Sequence, residues 1–238
     1  MNRVILSAST DETILAVTRQ HKLVDLEIEQ QINTEIVGCI YKGVVKNIVP
    51  AVDGIFVDIG IGKNAFLRRK DLLNEKRFPT EGSPILAQVI KSDTDMKGAL
   101  ITEKISMFGK YAVTLSGTGY IGVSKKIRQE SVRKKLKEIG KEICAEHMGL
   151  IIRTAAENAD MDEFRKDITR LKENWDIIQK RFRMEKSPTL LYRESDIIVK
   201  ALRDYVNKGT EILITDNRKI YERICKLNES EHTIEPDK

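Results

Sequence analysis

Val24, Leu26 and Ile28 alternate with Asp25, Glu27 and Glu29, a period of two that predicts a strand with one apolar and one polar face. The runs Arg3 to Ser7 and Glu12 to Arg19 precede it with short connections, so the first thirty residues read as a three-stranded antiparallel meander. Three strands rarely make a domain by themselves, and their other half must lie elsewhere in the chain or on the next module. That module begins at Val37, with a long β-rich run to Val49, a turn at Pro50 to Gly54, a strand at Ile55 to Ile59, a glycine turn at Gly60 to Gly62 and a strand at Ala65 to Leu67. Strands at Ile85 to Lys91 and Ala99 to Glu103, joined by the loop Ser92 to Gly98, bring the total to five over about 70 residues, which matches an OB-type barrel. Gly43, in mid-strand, would permit the bend such a barrel needs.

After Ile105 the pattern changes. Tyr111 to Leu115 and Tyr120 to Val123 read as strands, and from Glu130 onward Val132, Leu136, Ile139 and Ile143 share one helical face. The other side of that helix carries Arg133, Lys134, Lys135, Lys137 and Lys141, either a solvated face or an extension of a basic track. Gly149 to Thr154 reads as a strand ending in an arginine and a hydroxyl. Asp160 with Glu163 then starts a second helix in the manner of a capping box, with Phe164, Ile168, Leu171, Trp175, Ile178 and Phe182 as its core stripe. Pro188 marks a boundary. Beyond it, a strand (Thr189 to Tyr192), a helix (Ser195 to Val206, stopped at Asn207-Lys208-Gly209), a strand (Glu211 to Thr215) and a helix (Asn217 to Leu227) form an α/β segment. The polar ESEHTIEPDK follows directly, which reads as a chain cut after an unfinished α/β unit.

Composition narrows the classes. With 238 residues, 41% of them hydrophobic, the chain can build one large domain or two to three small ones with real cores. No apolar run reaches the roughly 18 residues of a membrane span, and MNRVILSASTDE is not a signal peptide, so the expected location is the cytoplasm, away from membranes. Cys39, Cys144 and Cys225 fit neither a disulfide framework nor a zinc site, and His21, His147 and His232 lack ligand spacing. The net charge of +5 is a mild hint of a polyanionic partner. Asp11, Asp25, Glu27, Glu29 and Asp216 lie outside apolar strand centres and read as structural or solvent-facing. Alternation puts Ile55, Val57 and Ile59 on one face and Phe56 on the other. If the isoleucines fill the barrel, Phe56 is an outward stacking platform; Phe56 and Phe66 as core aromatics fit the pattern equally.

The ordered series CIYKGVV, IFVDIG, NAFL, KGALIT, GVSKKI, IIRTAAE and LRDY resembles the N-terminal half of the ribonuclease E/G family, bacterial endoribonucleases (hydrolases) of RNA decay and ribosomal RNA processing. The resemblance implies an α+β multidomain protein. Residues 1–35 and 185–230 would be two parts of an RNase H-like α/β subdomain, 36–104 an inserted ribosomal S-one-type OB fold, 105–184 a region sensing the RNA 5′ end, and 231–238 a polar tail. It further implies Phe56 and Phe66 as RNA-stacking aromatics, Lys97 on a phosphate, and Gly109, Val113, Arg153 and Thr154 as a 5′-monophosphate pocket. The chemistry of that set agrees, since arginine offers a planar fork to phosphate oxygens, threonine adds a hydroxyl donor and glycine lets backbone N–H groups approach. The alternative is that Arg153 pairs with a carboxylate such as Glu157 and Val113 is core. The implied partner is single-stranded RNA with a 5′ monophosphate, and a homo-oligomer is implied for the full-length enzyme. The family's magnesium-binding aspartates and zinc-linking cysteines fall in a DNase I-like domain and a segment beyond position 238, so no catalytic residue, metal or other cofactor is expected within this chain. The expected function is the RNA-binding, 5′-end-sensing half of an endoribonuclease, inactive alone. A free-standing RNA-binding protein, for instance ribosome-associated, and a protein-interaction scaffold are the alternatives.

Overall fold

Three antiparallel strands open the chain, β1 (Asn2–Ala8), β2 (Glu12–Arg19) and β3 (Lys22–Gln30). The barrel strands follow as β4 (Ile40–Val49), β5 (Gly54–Asp58), β6 (Ala65–Arg68), β7 (Pro84–Lys91) and β8 (Leu100–Thr102). Next come β9 (Ser106–Phe108), β10 (Ala112–Ser116), β11 (Ile121–Val123), α1 (Glu130–Ile143), β12 (Met148–Ile152) and α2 (Met161–Met184). The last elements are β13 (Thr189–Tyr192), α3 (Ile197–Tyr205), β14 (Ile212–Thr215) and α4 (Arg218–Glu231). This computed structural model describes residues 2–10, 12–30, 36–93, 97–144, 148–193, 196–206 and 212–231. Asp11, His147, His232, Ser195, Glu211, the stop at 207–209 and the polar tail from 232 lie outside the described residues. The chain divides into two compact units, residues 1–35 with 195–238, and residues 36–194.

The first unit is a sheet in the order β14-β1-β2-β3, with β14 parallel to β1 and the other pairs antiparallel. Alternation sends Val4, Leu6, Leu15 and Val17 to one face, where they pack on Ile197, Ile198 and Ala201 of α3 and Ile220 and Ile224 of α4. Its carboxylates tie elements together. Asp25 accepts the Tyr205 hydroxyl, and Glu29 accepts the Ile197 N–H at 3.4 Å. Asp216 accepts the Ser7 hydroxyl at 2.6 Å and the Ala8 N–H at 3.2 Å, bonds that hold its carboxyl below the usual range.

In the second unit the barrel strands run β4-β5-β6-β8-β7, and β7 pairs back onto β4 to close the ring. Val45, Ile55, Val57, Leu67, Ile85, Val89 and Ile101 fill it. A bulge between Val45 and Asn47 bends β4. At Gly43 a Cβ would lie 2.5 Å from the Val57 side chain, so glycine also allows close packing of β4 on β5. The strand Thr189–Tyr192, which chain order grouped with the α/β segment, pairs antiparallel with β4 through Thr189↔Lys42 and Leu190↔Tyr41. Apolar alternation marks a strand but does not say which edge it joins.

Beside the barrel, a sheet in the order β11-β12-β10-β9 packs on α1 and α2 around Met107, Leu136, Leu150, Ile152, Phe164, Ile168 and Leu171. Asp160 caps α2 by accepting the N–H groups of Asp162 (2.8 Å) and Glu163 (3.3 Å). Trp175 is partly buried against this core. Gln88 and Lys42 are among the side chains that join sheet and helix to the barrel. The Gln88 amide exchanges two 2.8 Å bonds with the Ser106 backbone, and the Lys42 ammonium donates to the carbonyls of Phe182 (2.7 Å) and Glu185 (2.6 Å) at the end of α2.

Candidate nucleic-acid interface

Strand alternation decides where the aromatics stand. On β5 and β6 the flanking Ile55, Val57, Ala65 and Leu67 are fully buried, while Phe56 and Phe66 are half-buried and outside the barrel core. They are direct cross-strand partners, their ring centroids 5.5 Å apart at 51°. Asn47 on β4 is the register partner of Phe56, and Leu100 on β8 that of Phe66, so one row crosses four strands. The Phe66 ring lies across Gly54, where a Cβ would meet ring atoms at 2.3 Å. Lys97 is exposed on the loop that leads into β8. Gly98, next to it, fits against the Asn64 carbonyl, which an added Cβ would approach to 1.9 Å. Lys91 is also exposed and pairs with Leu100 at the end of the same row.

The second cluster forms where β12 ends. β12 stops at Ile152, two residues before the predicted strand end, and Thr154 opens a 3-10 turn to Asn158. The Arg153 N–H donates to the Tyr111 carbonyl at 2.8 Å, which keeps the residue beside β10. Its Nη1 donates to the Gly109 carbonyl, also at 2.8 Å. Thr154 is exposed, its hydroxyl 3.2 Å from that of Ser124. Val113 is half-buried on the outward row of its sheet, between Phe108 and Ile151, which are 44% and 40% exposed. Gly109, Val113, Arg153 and Thr154 therefore gather at one end of this sheet.

Several members of the site were not read from the sequence. Lys125 and Lys126 stand exposed after Ser124, in a turn whose Ser124 and Ile127 carbonyls accept Arg133 Nη1 at 2.7 and 3.0 Å. Arg133 thus leaves the basic face of α1, while Lys134, Lys135, Lys137 and Lys141 remain exposed. Asp167 of α2 is only 6% exposed and accepts the N–H groups of Lys110 (3.1 Å) and Tyr111 (2.8 Å). The Tyr111 hydroxyl donates to Glu163 at 2.6 Å, and burial, reinforced by that carboxylate, pushes its pKa up. A charge three residues after Phe164 and four before Leu171, inside the core stripe, was the available signal for Asp167.

A separate cleft of about 400 Å³ lies between the barrel and α2, lined in part by Leu86, Glu103, Lys172 and Trp175. Burial holds the Glu103 carboxyl above its ordinary range, opposed by the Leu73 N–H it accepts at 2.9 Å. Burial also pushes the Cys144 thiol up to about 11. Among the described residues no three His, Cys, Asp or Glu side chains converge as a metal ion requires. No helix among them is long and apolar enough to cross a membrane.

Residues 106–237 match the ribonuclease E/G family and residues 34–102 the S1 RNA binding domain. The chain is 32% identical to ribonuclease G of Escherichia coli K12 over 94% of its own length and 49% of that protein's. It is 30% identical to ribonuclease G of Haemophilus influenzae, over 95% of the chain and 50% of the relative. Ribonuclease E of Buchnera aphidicola subsp. Schizaphis graminum is 31% identical over 92% of the chain and 24% of its own length. The chain thus spans about half the length of the ribonuclease G relatives it matches.

Proposed function

The chain belongs to the ribonuclease E/G family and carries its RNA-binding S1 barrel, and from that premise we propose that it recognises single-stranded RNA by its 5′ monophosphate as part of an endoribonuclease of RNA decay and ribosomal RNA processing. The observation that carries this reading is the gathering of the Arg153 guanidinium, the Thr154 hydroxyl and the Gly109 turn at one sheet end, in the same compact unit as the outward Phe56–Phe66 pair. The Gly109 carbonyl fixes the guanidinium from one corner, which favours a defined approach for phosphate oxygens. Lys125 and Lys126 add positive charge beside Thr154. The phenylalanines stack bases without regard to identity, and Lys97 and Lys91 lie near the row for backbone phosphates. Two modest contacts on one strand raise each other's effective concentration. We assign these residues the recognition of the RNA strand.

The test titrates the native chain and Arg153→Ala with short RNAs bearing a 5′ monophosphate or a 5′ hydroxyl. Each charge-assisted hydrogen bond is worth about 1.5 to 3 kcal/mol, so the native chain is expected to favour the monophosphate at least about tenfold and the variant to bind both alike. Equal binding of the two RNAs by the native chain would overturn the reading.

A further inference from the structure

Asp167 is a charged side chain, 6% exposed, in the core-facing stripe of α2, and the phosphate contacts described above do not use it. Its two oxygens take separate tasks. Oδ1 accepts the Lys110 N–H at 3.1 Å and lies 3.3 Å from Arg170 Nη2, while Oδ2 accepts the Tyr111 N–H at 2.8 Å. Both N–H groups belong to the turn between β9 and β10, and the residue just before them is Gly109. A Cβ on Gly109 would sit 2.5 and 2.7 Å from the same two oxygens, so glycine is required there because the carboxylate fills the space. The opposite end of that peptide, the Gly109 carbonyl, is the acceptor for Arg153 Nη1 at 2.8 Å. A second anchor from α2, Glu163 on the Tyr111 hydroxyl, holds the end of the same turn.

We propose that Asp167 is a positioning residue of the 5′-phosphate site: from α2 it clamps the 109–111 turn, and the clamped turn aims the Gly109 carbonyl that orients the Arg153 guanidinium. This rests on the 5′-monophosphate reading and adds the device that sets its geometry. Asp167 touches no RNA in this scheme. It acts through two backbone N–H groups, one glycine and one carbonyl, and a buried anion is suited to that because it accepts from both donors at once. An asparagine has the same shape but presents one acceptor and one donor, and its amide would face a backbone N–H.

The experiment compares the native chain, Asp167→Asn and Gly109→Ala, each in full length, in melting temperature and in affinity for 5′-monophosphate and 5′-hydroxyl RNA. A structural role alone lowers the melting temperature and leaves the ratio of the two affinities intact. Positioning predicts that Asp167→Asn loses at least about fivefold of the monophosphate preference while hydroxyl RNA, held by the barrel, binds as before. Gly109→Ala, which pushes the turn off the carboxylate, is expected to lose the same preference, and the double variant no more than either alone. A folded Asp167→Asn with the full preference overturns the proposal. Should that variant fail to fold, Asp167→Glu, which keeps the charge but displaces the carboxylate from the turn, decides in its place by the same ratio. A native chain without any monophosphate preference fails at the earlier step, and takes down the 5′-phosphate reading and the role of Asp167 together.

Discussion

Gly54 and Phe66 work as a pair, the ring lying in the space the missing side chain leaves. Because the obstructing atoms are the end of a flexible side chain, Gly54→Ala is expected to displace the ring rather than the strand, weakening single-stranded RNA binding with little loss of stability. Phe56→Ala and Phe66→Ala are each expected to cost about 1 to 3 kcal/mol of RNA affinity in a folded protein. Unfolding of either variant in a thermal melt would return these residues to the core. Glu103 gives a pH test. A carboxyl whose pKa rises on folding supports the fold while protonated, fully below the ordinary carboxylate range, and that support is lost as pH rises through the raised value. Glu103→Gln keeps the acceptor for the Leu73 N–H and removes the charge. It is therefore expected to melt slightly higher than the native chain at about pH 7 and level with it near pH 3, the gap kept small by partial hydration of the carboxylate. A lower melting temperature at neutral pH would contradict this. Alternation set Phe56 on the face opposite Ile55, Val57 and Ile59, but which of the two faces fills the barrel was not legible. Nor was the task of Asp167, because its N–H partners come from 56 and 57 residues away, a distance no local pattern spans.

α2 was legible as an element because its cap and its stripe agree. Asp160 accepts two N–H groups of the first turn, and Asp160→Ala is expected to cost about 1 kcal/mol, measured by denaturant unfolding. An unchanged unfolding midpoint would show that the cap contributes nothing. Short strands were harder to read. β9 has three residues, too few for a period to register, and β12 yields to a 3-10 turn once the Arg153 N–H has bonded to the Tyr111 carbonyl. That ending matters, since it lifts Thr154 out of the sheet towards Ser124. β13 was visible as a strand, but its partnership with β4 depends on a contact about 150 residues back in the chain.

At the scale of the whole molecule, the barrel and the sheet bearing Arg153 belong to one compact unit, joined through Gln88 and Lys42. Its barrel topology followed from five strands and their turns. The joints did not, being single polar side chains whose reach is fixed only after folding. In the proposed mode one RNA strand is held at two places, by stacking on the barrel and by its 5′ phosphate at Arg153. The most direct measurement titrates one RNA, in 5′-monophosphate and 5′-hydroxyl forms, against the native chain, Phe56→Ala and Arg153→Ala. Phe56→Ala is expected to weaken both forms by the same factor, and Arg153→Ala to weaken the monophosphate form alone, down to the level of the hydroxyl form. Equal affinity of the native chain for the two forms, or a monophosphate preference that survives Arg153→Ala, would contradict the proposed mode.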